Sequence, residues 1–154
     1  MSRRQLNGLG ALACAGMMGF ALYAQHGMGL DPCPLCVFQR VAVIGLGLLF
    51  LLAFLHGPGP TGARIYGALM LVPALAGMAV AGRQVWLQHL PEEEVPACGP
   101  GLDYMLDVFP LHEALAMVFE GSGECAETAW SFLGVSMAGW VFILLAGLLV
   151  FALW

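Results

Sequence analysis

The sequence predicts an all-α membrane protein built as a bundle of four transmembrane helices. Of its 154 residues, 60% are hydrophobic, only 10% are charged, and none is lysine, a composition that the surface of a water-soluble domain of this size would not show. Four apolar segments approach the roughly 20 residues that a helix needs to cross a bilayer. The net charge of −5 also argues against nucleic acid as a partner, because nucleic acid requires a basic face.

The first two predicted spans cover residues 6–23 and 34–55, within a single membrane domain that comprises residues 1–154. We expect the first span to be retained, because the sequence before Gln25 lacks the small-residue pattern of a signal-peptide cleavage site. The second span should begin near Cys33, since Pro34 is suited to the first turn of a helix.

The third and fourth predicted spans cover residues 65–82, with a kink expected at Pro73, and residues 132–154. The resulting loops, residues 24–33 and 83–131, lie on the same side of the membrane. The second loop is long and predicts a short amphipathic helix, because four apolar side chains share one helical face: Leu111, Leu115, Val118 and Phe119. This helix either lies in the membrane interface or packs against the bundle.

A CxxC motif, Cys33 to Cys36, stands at the start of the second span. A helix N-terminus and the guanidinium of Arg40, one turn from Cys36, would both stabilise thiolates, so we expect both thiols to ionise easily. The spacing alone is equally compatible with a structural disulfide or half of a metal site. No metal site is predicted, because the histidines lack ligand spacing and the second CxxC typical of zinc sites is missing.

The second loop contains two further cysteines, Cys98 and Cys125. Prolines and glycines keep the segment around Cys98 irregular and exposed, whereas Cys125 follows a flexible turn at residues 121–123. Two cysteine pairs on one side of a small membrane protein suggest an electron path based on disulfide exchange. The alternative is a structural membrane protein whose two disulfides only staple its loops.

The arginines indicate the orientation in the membrane. Arg3, Arg4 and Arg64 lie on one side of the four-span arrangement, against Arg40 and Arg83 on the other, which favours cytoplasmic termini. The loops with the four cysteines then face an oxidising compartment such as a bacterial periplasm.

These motifs together resemble the disulfide bond formation protein B (DsbB) family, the quinone-dependent oxidases of the bacterial inner membrane. The resemblance covers nearly the whole chain and rests on four stretches: Cys33-Pro34-Leu35-Cys36 followed by Val37-Phe38-Gln39-Arg40, the loop cysteine Cys98, Ser122-Gly123-Glu124-Cys125-Ala126-Glu127, and Trp130 with Phe132-Leu133-Gly134.

The resemblance implies that a Cys98–Cys125 disulfide oxidises a DsbA-like periplasmic thiol oxidase, with Cys98 forming the mixed disulfide. Electrons would then reach Cys33 and Cys36, and Cys36 would pass them to ubiquinone or menaquinone in the lipid bilayer. Arg40 would polarise the quinone or stabilise the Cys36 thiolate. Some family members carry glutamate at the position of Gln39, so a carboxylate beside Arg40 is not part of the mechanism implied here.

Overall fold

The structure, a computed structural model that describes residues 2–154, consists of four long helices with a folded loop region at one end. The long helices are α1 (Arg3–His26), α2 (Pro34–His56), α3 (Pro60–Gln88) and α7 (Met137–Leu153). Between α3 and α7 the chain forms a 3₁₀ turn (Glu92–Glu94), three short helices, α4 (Leu102–Val108), α5 (Leu111–Glu120) and α6 (Gly123–Ala126), and an antiparallel hairpin of β1 (Ser131–Phe132) and β2 (Val135–Ser136).

Helix length and composition confirm a helical membrane protein. Helices α1, α2 and α3 contain 24, 23 and 29 residues, and each is long and apolar enough to cross a bilayer. Helix α7 is apolar throughout but has only 17 residues.

Local sequence signals set the helix ends. Helix α2 begins as predicted, with Cys33 as the N-cap and Pro34 in the first turn, and Gly57 ends it in the left-handed conformation (φ 57°). Helix α3 starts at Pro60, passes through Pro73 and continues to Gln88. It therefore extends six residues beyond the predicted end at residue 82.

The last helix begins at Met137 rather than near Phe132. The apolar residues before it form the hairpin instead, because Leu133 (φ 53°) and Gly134 (φ 78°) make a two-residue turn that pairs Ser131 with Ser136. Trp140 consequently lies in the first turn of α7. Its indole Nε1 donates a hydrogen bond to the carbonyl of Phe132 at 3.1 Å.

Small residues allow the long helices to approach one another closely, as is common in membranes. The buried cluster between the four helices comprises Cys14, Val43, Leu46, Phe50, Ala53, Met70, Ala74 and Leu145. Cys14 packs against Gly47. Gly10 lies so close to the fully buried Phe50 that an added Cβ would be 2.7 Å from the ring.

We predict that Gly10→Ala destabilises the protein by about 1–3 kcal/mol, because the confined Phe50 ring cannot move away from the added methyl group. The measurement is the thermal midpoint of the purified protein in detergent micelles. Gly16→Ala on the same helix is the matched control, since an added Cβ there meets nothing within 4 Å. Equal midpoints for the two variants would contradict the packing described here.

Candidate functional site

The CxxC motif lies at the N-terminus of α2, where its two sulfur atoms are 3.1 Å apart. Cys33 is extended (φ −72°, ψ 165°), and its sulfur accepts a hydrogen bond from the backbone N–H of Cys36 at 3.4 Å. The two cysteines are free thiols here. Only a small side-chain movement separates this arrangement from a disulfide of about 2.05 Å.

Cys125 packs directly beside this pair. It lies in α6, has no exposed surface, and belongs to the same buried cluster as Cys33 and Leu35. The sequence predicted a flexible turn before it but not that the side chain would be buried. A second buried cluster, formed where the loop helices meet the bundle, encloses both cysteines and contains Val80, Leu87, Met105, Ala114 and Val118.

Hydrogen bonding shifts the pKa values of Cys33 and Cys125 in opposite directions. The pKa of Cys125 is lowered to about 6, because its sulfur accepts a hydrogen bond from Cys33 and further ones from the backbone of Leu35 and from Ser122, which together outweigh burial. The pKa of Cys33 is raised by donation to Cys125 and Cys36 and by burial. The expectation that both thiols of the CxxC motif ionise easily is therefore wrong for Cys33.

Cys98 is the exposed member of the four loop and motif cysteines. As predicted, its surroundings are irregular and solvent-exposed. Its sulfur lies against Gly123, where an added Cβ would be 3.2 Å away, and the N–H of Gly123 donates to the carbonyl of Ala97 at 3.3 Å. The segment carrying Cys98 thus contacts the helix that carries Cys125.

Arg40 extends toward α1 rather than toward the cysteines. Its guanidinium donates to Oε1 of Gln25 at 2.5 Å and to the carbonyl of Ala21 at 3.2 Å. Helical spacing from Cys36 placed the two side chains on one face, but the long arginine side chain turns across the interface between α1 and α2. The charge is thereby held near the membrane surface by neutral acceptors.

Arg40 and both motif cysteines line a cavity of about 560 Å³ between α1, α2 and α7. This volume falls in the range of small-molecule sites. Apolar side chains, among them Met17, Met18, Met137, Val141 and Trp130, form much of the remaining wall, and loop residues contribute the carboxylates of Asp31, Glu124 and Glu127. The site therefore combines a dithiol, a positive charge and a partly apolar cavity between the helices and the loops.

Two buried glutamines contribute to the site and were not predicted to do so. Nε2 of Gln84 lies 3.4 Å from the sulfur of Cys36 and 3.6 Å from that of Cys33. Oε1 of Gln84 accepts a hydrogen bond from Nε2 of Gln39 at 2.6 Å. A sequence signal existed, because polar side chains within apolar membrane helices usually face the protein interior and serve a function.

Helix α5 is present where the amphipathic pattern predicted it, and one of its faces packs on the bundle. Ala114 and Val118 are buried in the second cluster, whereas Leu111 and Phe119 of the predicted apolar face are exposed. Its C-terminal carbonyls, those of Phe119 and Glu120, accept hydrogen bonds from Arg83 at 3.0 and 3.1 Å. The Arg83 guanidinium also lies 4.4 Å from the ring centroid of Trp86.

Taken together, the helices and the cysteines define a membrane protein with a thiol–disulfide redox site. The family model for Disulfide bond formation protein DsbB matches residues 3–154. Relatives named Disulfide bond formation protein B include one from Marinobacter nauticus, 53% identical over 99% of this chain and 91% of the relative. Another, from Chromobacterium violaceum, is 53% identical over 94% and 87%, and one from Hahella chejuensis is 51% identical over 96% and 89%.

The chain belongs to the DsbB family, and it is an oxidoreductase that acts in disulfide bond formation. The resemblance noted from the sequence motifs is confirmed.

We predict that Cys125 titrates near pH 6 and that Cys33→Ala raises its midpoint toward the ordinary value for a thiol. The reason is that the Cys33 thiol donates to the Cys125 thiolate, so removing the donor disfavours the charged form. Above the midpoint Cys125 is a thiolate and able to attack a disulfide; below it the residue is a thiol and exchange slows. The Cβ chemical shift of Cys125, followed by NMR against pH in a Cys36→Ser background, reports this ionisation. A midpoint unaffected by Cys33→Ala would contradict the assignment.

We also predict that Arg83→Met loosens the end of α5 while preserving contact with Trp86. Loss of two charge-assisted hydrogen bonds should accelerate backbone amide exchange in the last turn of α5 and in α6 roughly tenfold. Hydrogen exchange followed by mass spectrometry measures this. The exposed Arg64, at the opposite end of the bundle, provides the control variant Arg64→Met, and equal exchange in both variants would refute the role of Arg83.

Proposed function

We propose that this protein reoxidises a DsbA-like periplasmic thiol oxidase by disulfide exchange and passes the electrons to a membrane quinone. The observation that carries the proposal is the spatial order of the four cysteines. An exposed Cys98 contacts the helix of the buried Cys125, Cys125 packs on Cys33, and Cys33 is 3.1 Å from Cys36 at a partly apolar cavity. Electrons can thus move from solvent to membrane by consecutive exchanges between neighbouring sulfur atoms.

The first exchange takes place at the exposed cysteine. With Cys98 and Cys125 joined as a disulfide, a thiolate of the reduced partner attacks the Cys98 sulfur, forms a mixed disulfide and releases Cys125 as a thiolate. The second thiol of the partner then attacks its own sulfur in the mixed disulfide and releases Cys98. Two electrons have entered the loop pair, and the partner leaves oxidised. The hydrogen bonds that Cys125 receives from the backbone of Leu35 and from Ser122 favour its release as a thiolate in this step.

The second exchange transfers the electron pair to the CxxC motif. The Cys125 thiolate attacks the sulfur of Cys33 in a Cys33–Cys36 disulfide and releases Cys36 as a thiolate. Cys98 then attacks Cys125, which restores the loop disulfide and leaves Cys33 as a thiol. The raised pKa of Cys33 keeps it protonated after release, so the negative charge resides on Cys36.

The cavity beside Cys36 suits ubiquinone or menaquinone. When bound, a quinone supplies a two-electron, two-proton acceptor, which leaves as quinol while the Cys33–Cys36 disulfide forms again. Arg40 has guanidinium N–H groups beyond those bonded to Gln25 and Ala21, which can orient a carbonyl oxygen, and the methionine side chains of α1 and α7 can adapt to a flat apolar ring.

The proposal includes the membrane arrangement. We propose four spans in the bacterial inner membrane, with α7 as the fourth, because 17 residues reach about 25 Å and lie at the lower limit for crossing. Both termini would lie in the cytoplasm, with Arg3, Arg4 and Arg64, and the four site cysteines would face the periplasm.

We predict that Cys36→Ser abolishes quinone reduction while Cys14→Ala leaves it unchanged. Cys36 is the sulfur adjoining the cavity, whereas Cys14 only packs against Gly47 inside the bundle. The assay follows loss of quinone absorbance in proteoliposomes supplied with a reduced DsbA-like protein. Continued quinone reduction by Cys36→Ser would overturn the proposal.

A trapping experiment tests the entry step. A reduced partner whose second thiol is replaced by serine should attack the Cys98–Cys125 disulfide and accumulate as a mixed disulfide with Cys98, visible as a reducible band on non-reducing gels. If Cys33→Ser instead left partner oxidation unchanged in cells, the disulfides would serve only to stabilise the loops, and the protein would have a structural role.

A further inference from the structure

Two glutamines from different helices are buried at the base of the CxxC motif. Gln39 on α2 is 4% exposed and Gln84 on α3 is 5% exposed. Burying an amide in an apolar environment costs free energy unless its polar atoms find partners. Each of these side chains has partners: the two amides bond to each other, and Gln84 bonds to the reactive sulfurs.

Both ends of the Gln84 amide contact the CxxC pair. Oε1 of Gln84 accepts from Nε2 of Gln39 at 2.6 Å and can accept from the Cys36 thiol at 3.5 Å. Nε2 of Gln84 can donate to the sulfur of Cys36 at 3.4 Å and to that of Cys33 at 3.6 Å. Reversing Gln84 alone would oppose two NH₂ groups across 2.6 Å, which is unfavourable.

We propose that Gln84 is a catalytic residue that donates a hydrogen bond to whichever sulfur of the CxxC pair is anionic, and that Gln39 is a positioning residue that holds the Gln84 amide in this orientation. The inference rests on the proposed function, since it assigns a role in the same exchange reaction. Exchange releases Cys36 as a thiolate, and the Gln84 amide is already in place to receive that charge.

A neutral donor suits this location. A second arginine or lysine at this depth would itself carry a large desolvation cost, whereas an amide contributes a directed dipole without net charge. One Nε2 reaches both sulfurs within 3.6 Å, so the donor stays in range as the charge moves along the pair. Arg40 does not duplicate this role, because its guanidinium is engaged by Gln25 and Ala21.

The test uses a full-length protein whose one remaining cysteine is Cys36, with Cys14→Ala, Cys33→Ser, Cys98→Ser and Cys125→Ser. Alkylation by iodoacetamide is measured at pH 7 in detergent micelles without added quinone. Gln84→Met preserves the side-chain volume but removes the donor, and should slow alkylation roughly tenfold, the value of one hydrogen bond to a charged group. Gln5→Met, an exposed position near the start of α1 at the opposite end of the bundle, is the control for the same chemical change and should leave the rate unchanged.

Gln39 is tested by a double-mutant cycle. Gln39→Met should slow alkylation by a smaller factor, and Gln39→Met combined with Gln84→Met should react no more slowly than Gln84→Met alone, because Gln39 acts through Gln84. An effect of Gln39→Met that persists undiminished in the Gln84→Met protein would exclude its positioning role.

Turnover supplies an independent measurement. With all cysteines present, Gln84→Met should lower kcat for partner oxidation and leave KM for the partner unchanged, since the partner is engaged at Cys98. If iodoacetamide alkylates Cys36 in the folded Gln84→Met protein as fast as in the parent, or faster, the inference is wrong. Normal quinone reduction by the parent protein would still leave the proposed function intact. A parent protein that fails to reduce quinone would instead overturn the proposed function.

Discussion

The packing of Cys125 against Cys33 is the contact on which the rest of the site depends. It brings a residue of the second loop to the N-terminus of α2 and buries both thiols in one cluster with Leu35, Val80 and Leu87. Burial alone would oppose ionisation, but the donors around Cys125 reverse that effect. The loop helices are arranged so that this one contact forms: α4 and α5 bury Met105 and Val118 beneath it, and α6 presents the sulfur.

The sequence was sufficient for features that depend on local chemistry. Composition identified the membrane class. Pro34 located the start of α2, because the proline ring is sterically compatible with the first turn of a helix. Features that depend on distant contacts were not predictable. The Gln39–Gln84 hydrogen bond joins residues 45 positions apart, and Arg40 can turn to either neighbour because helical spacing fixes Cβ positions rather than guanidinium positions. The start of the fourth predicted span could not be located from hydropathy alone, because the apolar residues around the Leu133–Gly134 turn are as hydrophobic as those of a helix.

The extension of α3 beyond residue 82 accounts for much of the organisation at this end of the molecule. Three of its last residues contact three different parts of the site: Arg83 holds the end of α5, Gln84 reaches the reactive sulfurs, and Leu87 fills the cluster around Cys125. These residues lie within one turn or so of a single rigid helix, so the loop, the cysteine pair and the core keep a fixed relation. A helix that ended at the predicted boundary would leave all three contacts to mobile loop residues.

The hydrogen bonds from Arg83 to the end of α5 hold one half of the second loop more firmly than the other. The half of the loop that includes Cys125 is anchored to α3 by two charge-assisted hydrogen bonds, whereas the segment around Cys98 meets it through a backbone hydrogen bond from Gly123 to Ala97. A pulling force applied at Cys98 would therefore break the backbone hydrogen bond between Gly123 and Ala97 before it displaced α5. The segment around Cys98 would then move while Cys125 stayed packed against Cys33.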